Sequence, residues 1–230
     1  MWSFIARLPD ARLAGALYLV IIGGGLFAEA VVRQQLVVLG NADATAANIL
    51  AHESLYRWGF AVSLVYLACN VPLALLLRRI FAGTNALAAQ LVAAFILVGT
   101  AIETTNLLNH FAPLIYLKGS VALGAFAPAE LHALAYVSLR TFGMGFSVCL
   151  VFFACYDLLI GYLIVKSRYL PRTIGILMAI AGVCYLTDSF ARILAPPVAN
   201  MLFPYILLPS FVGELSLCLW LLLKGVNLRT

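Results

Sequence analysis

Of the 230 residues, 64% are hydrophobic and only 10% charged, with a mean hydropathy of +1.06. A soluble domain carries roughly a quarter charged residues, so a soluble enzyme or binding module is excluded. The net charge of +5 does not point to nucleic acid either, because the lysines and arginines fall at the ends of apolar runs, where membrane topology and anionic headgroups account for them.

Several of those runs reach the ~20 residues that cross hydrocarbon, and the loops between them are too short for a second domain. The chain therefore reads as one all-α domain over 1–230, a six-transmembrane-helix bundle with short extra helices in the outer loops. Met1 to Asp10 holds Trp2, Arg7, Pro9 and Asp10, too polar for the apolar core of a cleavable signal, so the first span is read as retained.

Six spans are predicted, over about 11–33, 53–80, 85–112, 137–166, 172–194 and 203–224. A helical turn is expected to start at Asp43 in the first outer loop. Pro113 is expected to end the third span, and an amphipathic segment through Glu130 and His132 is expected to lie in the interface before the fourth. Gly143 and Gly145 are places where the fourth span can bend, and Gly23-Gly24-Gly25 reads as close helix packing.

Six spans place both termini on one side. Arg7, Arg12, Arg78, Arg79, Lys166, Arg168, Arg172, Lys224 and Arg229 cluster there, whereas Lys118 stands alone in the opposite loops. The positive-inside rule then assigns both termini to the cytoplasm.

Four arginines break the pattern: Arg33, Arg57, Arg140 and Arg192 sit at the outer ends of four different helices. Three have an acid four residues earlier, in the pairs Glu29/Arg33, Glu53/Arg57 and Asp188/Arg192, the favourable orientation on a helix. Arg140 has none on its own helix, which leaves Glu103 and Glu214 as candidate partners. On the third span Gly99, Glu103, Asn106 and His110 fall on one face at 3.6 residues per turn. A carboxylate, an amide and an imidazole must there face other helices or a wet cavity.

Two readings of this outer constellation stand. One is a structural network in which the acids neutralise arginines that snorkel to the interface. The other is a polar cavity in which Arg57, Arg140 and Arg192 hold an anionic head and Glu103, Asn106 and His110 orient it, with Asp188 and Glu214 as further residues of the ligand site. A deeper group is Asn70, Asp157 and Glu214. Asp157 lies ~13 Å from Lys166 and Glu214 ~15 Å from Lys224 by helical rise. Acids at that depth are the residues proton-coupled transporters use, so Asp157 and Glu214 are candidate proton carriers.

The chemistry of other classes is missing. The histidines His52, His110 and His132 lack metal-ligand spacing, the five cysteines form no C-x-x-C, and no nucleophilic serine has the flanks of a known elbow. No metal and no cofactor are expected. Acid–base work by Glu103 and His110 on a lipid remains as a second functional class, and their ~10 Å axial separation means acting on opposite ends of a substrate. A non-catalytic structural or regulatory partner of another membrane protein is the third. The expected partners are the lipid bilayer and a lipid or small anionic ligand.

From residue 160 the chain reads IGYLIVKSRYLPRTIGILMAIAGVCYLTDSF, then Pro196-Pro197, then GELSLCLWLLLKGV from Gly213. With ARLAGALYL from Ala11 and ATAANILAHESLYRWG from Ala44, it resembles the bacterial membrane family known as domain of unknown function 4386. Glu53, Arg57, Asp188 and Glu214 coincide with that pattern. The resemblance implies a six-helix protein of a bacterial inner membrane and transfers no activity.

Overall fold

The computed structural model describes residues 7–119 and 124–227. Trp2 and Arg229 lie outside them, as does the side chain of Arg7. Helix α1 spans Arg7–Leu26 and runs on through a π-helical stretch, Phe27–Arg33, and a last α-turn, Gln34–Leu36. The remaining helices are α2 (Ala42–Ala51), α3 (Glu53–Phe81), α4 (Ala86–Lys118), α5 (Pro128–Ser167), α6 (Arg172–Leu194), α7 (Pro196–Leu202) and α8 (Leu208–Leu223). A 3₁₀ turn, Tyr205–Leu207, leads into α8. Among the described residues there is no strand.

Six of these elements are long and apolar enough to cross a membrane: α1 with its extension, α3, α4, α5, α6, and α8 with its 3₁₀ turn. The protein is an all-helical, multi-pass membrane protein. Each spanning helix packs against its neighbours in the sequence, and α8 returns against both α6 and α1, so the six close into a ring. The short helices α2 and α7 sit in the first and last outer loops, α2 against α5 and α7 against α6.

Apolar side chains fill the ring's inner half, with Tyr18, Leu77, Phe81, Val92, Ile160, Met178 and Leu217 in one cluster. Leu64, Val65, Leu75, Leu108 and Val183 point outward, as lipid-facing positions do. At one end of the bundle Asp10 pairs with Arg79 at 3.1 Å, Phe81 stacks on Tyr169, and the Asn227 N–H donates to the Tyr169 carbonyl. The chain's start, the α3–α4 and α5–α6 turns and the exit from α8 therefore share that end.

Two boundaries differ from expectation. Pro113 does not end α4, which continues to Lys118. A proline removes its own N–H bond and crowds the carbonyl four residues before it, a local cost that packing can offset. Here Pro113 is buried, and Leu114 packs with Val32, Leu36, Ile49, Tyr56 and Leu139, which holds the final turns in place. Second, the segment at 128–136 is not a separate interfacial helix but the start of α5, 40 residues in all. Glu130 accepts the Ala127 N–H at 2.7 Å and Pro128 opens the helix. Nothing between them and the span breaks it. The ~60 Å that 40 residues make exceeds the bilayer core twofold, so its first turns stand outside. There His132 pairs with Asp43 at 2.7 Å and Tyr136 accepts the Gly40 N–H at 2.7 Å, tying α5 to the α1–α2 loop.

The glycines of α1 also sort differently. Of Gly23, Gly24 and Gly25 only Gly24 faces another helix closely, where an added Cβ would stand 3.1 Å from Tyr66, while Gly23 and Gly25 meet nothing within 4 Å. The tightest approach among the glycines of α1 is at Gly15, where a Cβ would stand closer than 3.0 Å to the Leu222 backbone of α8.

Candidate functional site

The outer half of the ring's interior collects the predicted stripe of α4. Gly99, Glu103, Asn106 and His110 are all buried there. Glu103 accepts a hydrogen bond from the Tyr66 hydroxyl of α3 at 2.7 Å. Asn106 donates to the Phe142 carbonyl of α5 at 2.8 Å and accepts from Asn109 at 3.1 Å. His110 is fully buried, stacks on Tyr56 at 4.6 Å between ring centres, and its own carbonyl accepts the Tyr56 hydroxyl. Neither His110 ring nitrogen has a hydrogen-bond partner among the described residues.

The close approach of α4 to α5 depends on Gly145. A Cβ at that position would stand closer than 3.0 Å to the Asn106 amide oxygen. Gly145→Ala is therefore expected to eject the Asn106 side chain and break its bond to Phe142. Such overpacking costs about 1–3 kcal/mol, readable as a lower midpoint in thermal unfolding of the purified protein. An unchanged midpoint would mean that the amide is free to move.

Arg33 enters the same region from the π-helical stretch of α1. A π-helix bonds each N–H five residues back, as the Gln34 N–H does to the Glu29 carbonyl, and the resulting bulge re-aims side chains at functional sites. Arg33 donates to Glu29 at 2.6 Å while its guanidinium lies 4.9 Å from the Phe142 ring centre. It is mostly buried and within electrostatic reach of Glu103 and His110.

A second feature opens outward between α5, α6 and α7: a half-open groove of about 230 Å³. Arg140 of α5 and Arg192 of α6 both line it, with Tyr136, Ser147 and Asn200 as further polar contributors. Val37, Leu39, Leu139 and Met144 supply apolar walls. By helical rise Arg140 stands ~39 Å from Lys166 and Arg192 ~30 Å from Arg172, so both lie at the end of the spans away from the chain's termini. Arg192 is held by buried Asp188 at 2.8 Å and rests over the Phe203 ring at 4.8 Å. Arg140 has no carboxylate within ion-pair distance among the described residues, neither Glu103 nor Glu214.

The predicted constellation thus separates into parts. Arg57 does not line the groove. It pairs with Glu53 at 2.7 Å, Glu53 also takes Lys118 at 2.7 Å, and the Arg57 guanidinium lies 5.9 Å from the Phe111 ring centre. Glu103, Asn106 and His110 are interior and do not line it either. Glu214 belongs to a third, deeper group. It accepts from Tyr185 at 3.1 Å and is within electrostatic reach of Asp157, which is fully buried with both carboxyl oxygens unbonded. Asn70 is buried on α3.

Comparison with known proteins adds one decisive match. The family model "Domain of unknown function (DUF4386)" covers residues 13–225. The chain belongs to that family. A relative from Archaeoglobus fulgidus, described as "Uncharacterized protein", is 32% identical over 78 residues, 34% of this chain and 44% of its own length. The chain thus aligns with less than half of that relative. No solved structure matches.

Several residues of this DUF4386 chain gain a place that sequence reasoning did not give them. Arg33 looked like an interfacial arginine neutralised by Glu29, and nothing in its spacing announces the π-helical turn that buries it. Tyr56 and Tyr66, ten residues apart on α3, carry a signal only once α4 is known to pack beside them. Asn200 is the lone polar side chain of the short α7, and that was readable in advance.

Proposed function

We propose that this membrane protein binds a small amphipathic anion in the outward groove, its head on Arg140 and Arg192 and its apolar part along Leu139 and Met144. The observation that carries this reading is the meeting of two arginines from adjacent helices at one groove, where Arg192 is paired with Asp188 and Arg140 has no carboxylate within ion-pair distance among the described residues. A structural network would match each arginine with an acid, as Arg33, Arg57 and Arg192 are matched and Arg140 is not. Arginine presents a planar fork suited to carboxylate or phosphate, and the mixed apolar and polar walls suit a molecule with both kinds of surface. The charge distribution along the chain supports cytoplasmic termini, so that the groove opens on the far side of what the family resemblance implies is a bacterial inner membrane. The acid–base reading of Glu103 and His110 has no comparable support, because neither borders the groove.

The test is mass spectrometry of what co-purifies in mild detergent, wild type against Arg140→Ala. A defined anionic lipid or metabolite present with wild type and missing from the variant is expected. The same compound in equal amount on both, or none on either, would overturn the assignment to Arg140.

A further inference from the structure

Tyr18 of α1, Tyr156 and Asp157 of α5, Tyr185 of α6 and Glu214 of α8 come together at mid-depth inside the ring. The Tyr156 hydroxyl donates to that of Tyr18 at 3.1 Å, across the ring's interior, and Tyr185 donates to Glu214 at 3.1 Å. Asp157 has no exposed surface, and neither of its oxygens meets a donor. The other titratable groups facing the pair are Tyr18, Tyr156, Tyr185 and Cys218, none of them basic. A carboxylate in such a place, with neither hydrogen bond nor cation, is strongly disfavoured. Two acids within electrostatic reach cannot both carry charge cheaply. The described residues group no three of His, Cys, Asp and Glu that could hold a metal ion.

We propose that Asp157 and Glu214 share one exchangeable proton at the centre of the ring, a proton-binding site separate from the outward groove. The two acids are unlike in a way that suits transfer. Glu214 is partly exposed and already has a donor, Tyr185, for its charged form. Asp157 is sealed and has none. A proton arriving from water binds the Glu214 carboxylate, passes to an Asp157 oxygen, and leaves Glu214 charged against the Tyr185 hydroxyl. The return runs through the same oxygens, with no other bond made or broken. Such a site on the axis of six helices, each end of which faces a different compartment, is where a coupling proton would be held. It does not depend on the groove binding anything.

The experiment is infrared difference spectroscopy of the full chain in nanodiscs, following the carbonyl band of protonated carboxyls. A component that shifts in deuterated water, bleaches as pH is raised, and is lost in Asp157→Asn but kept in Glu103→Gln is expected. Glu214→Gln should leave the band and slow its exchange at least tenfold, since the entry acid is gone. The wild-type measurement needs no variant to fold. A band assigned to Asp157 that never exchanges would make it a purely structural acid. Loss of the band on adding sodium at fixed pH would make this a sodium site. The absence of any protonated carboxyl band that Asp157→Asn removes would leave no proton to carry. Each of these three results overturns the proposal.

Discussion

Gly161→Val is expected to leave little or no folded protein. Gly161 of α5 and Gly175 of α6 face each other so closely that a Cβ on the first would stand 2.6 Å from the Gly175 carbonyl, and a Cβ on the second 2.7 Å from the Gly161 carbonyl. Two turns further out, a Cβ on Gly182 would stand 2.7 Å from the Ala154 carbonyl. Within a bilayer no hydrophobic force pulls helices together, so close backbone packing over small residues is a main source of association. The obstacle at each position is backbone, which cannot swing aside like a flexible side chain. Overpacking typically costs about 1–3 kcal/mol and sometimes more, and an obstructing carbonyl on a packed helix belongs at the upper end.

The measurement is the monodisperse fraction in size-exclusion chromatography, together with the unfolding midpoint of whatever survives. Gly23→Ala is the matched control. Nothing lies within 4 Å of a Cβ there, and alanine is favoured over glycine in a helix by about 1 kcal/mol, so that variant should be unchanged or slightly more stable. A well-folded Gly161→Val protein with a wild-type midpoint would show that α5 and α6 slide apart freely.

The same seam bears on the groove, because Arg140 and Arg192 project from the two helices it joins. Beyond Ala154 and Gly182, α5 runs ~21 Å to Arg140 and α6 ~15 Å to Arg192. The separation of the two arginines is thus set by a contact deep in the membrane rather than by the loops around them.

How much of this could be read from the chain follows from what kind of signal each feature leaves. The spans are legible because ~20 apolar residues have no other common use. The stripe Gly99, Glu103, Asn106, His110 is legible because helical periodicity fixes which residues share a face, whatever they face. The partners were not legible. Arg57 carries the same acid-at-minus-four pattern as Arg192, yet Glu53 and Phe111 occupy it at the surface, while Arg192 turns into the groove. Glu214 seemed as close to Arg140 as to Asp157, since depth along one helix says nothing about neighbours around a ring. The packing of α8 against α6 and α1 decides it in favour of the tyrosines and Asp157. Pro113 and the π-helical turn were hidden for a related reason. Tertiary packing overrides a local breaker in one case and bends a regular helix in the other.

The double variant Arg140→Ala with Arg192→Ala should abolish recognition of an anionic head altogether. A suitable probe is decyl phosphate, with decanol as the neutral control, titrated against the protein in nanodiscs. A hydrogen bond to a charged group is worth about 1.5–3 kcal/mol, so each single substitution should weaken phosphate binding about tenfold to a hundredfold, and decanol binding should not change. If one head touches both guanidinium groups, the two losses will not add, because removing either lets the head shift. The groove is half open to solvent, so the interaction should also weaken as salt is raised. Asp188→Ala is informative beside these, since Asp188 fixes Arg192 through its Nε at 2.8 Å. That substitution removes a negative charge from the site and the anchor of Arg192 with it. Weaker phosphate binding in Asp188→Ala would mean that Arg192 acts through its placement, whereas tighter binding would mean that net charge in the groove dominates. Equal affinity of wild type and the double variant for decyl phosphate would remove the anion-binding reading and leave the two arginines a purely structural place at the end of the spans away from the termini.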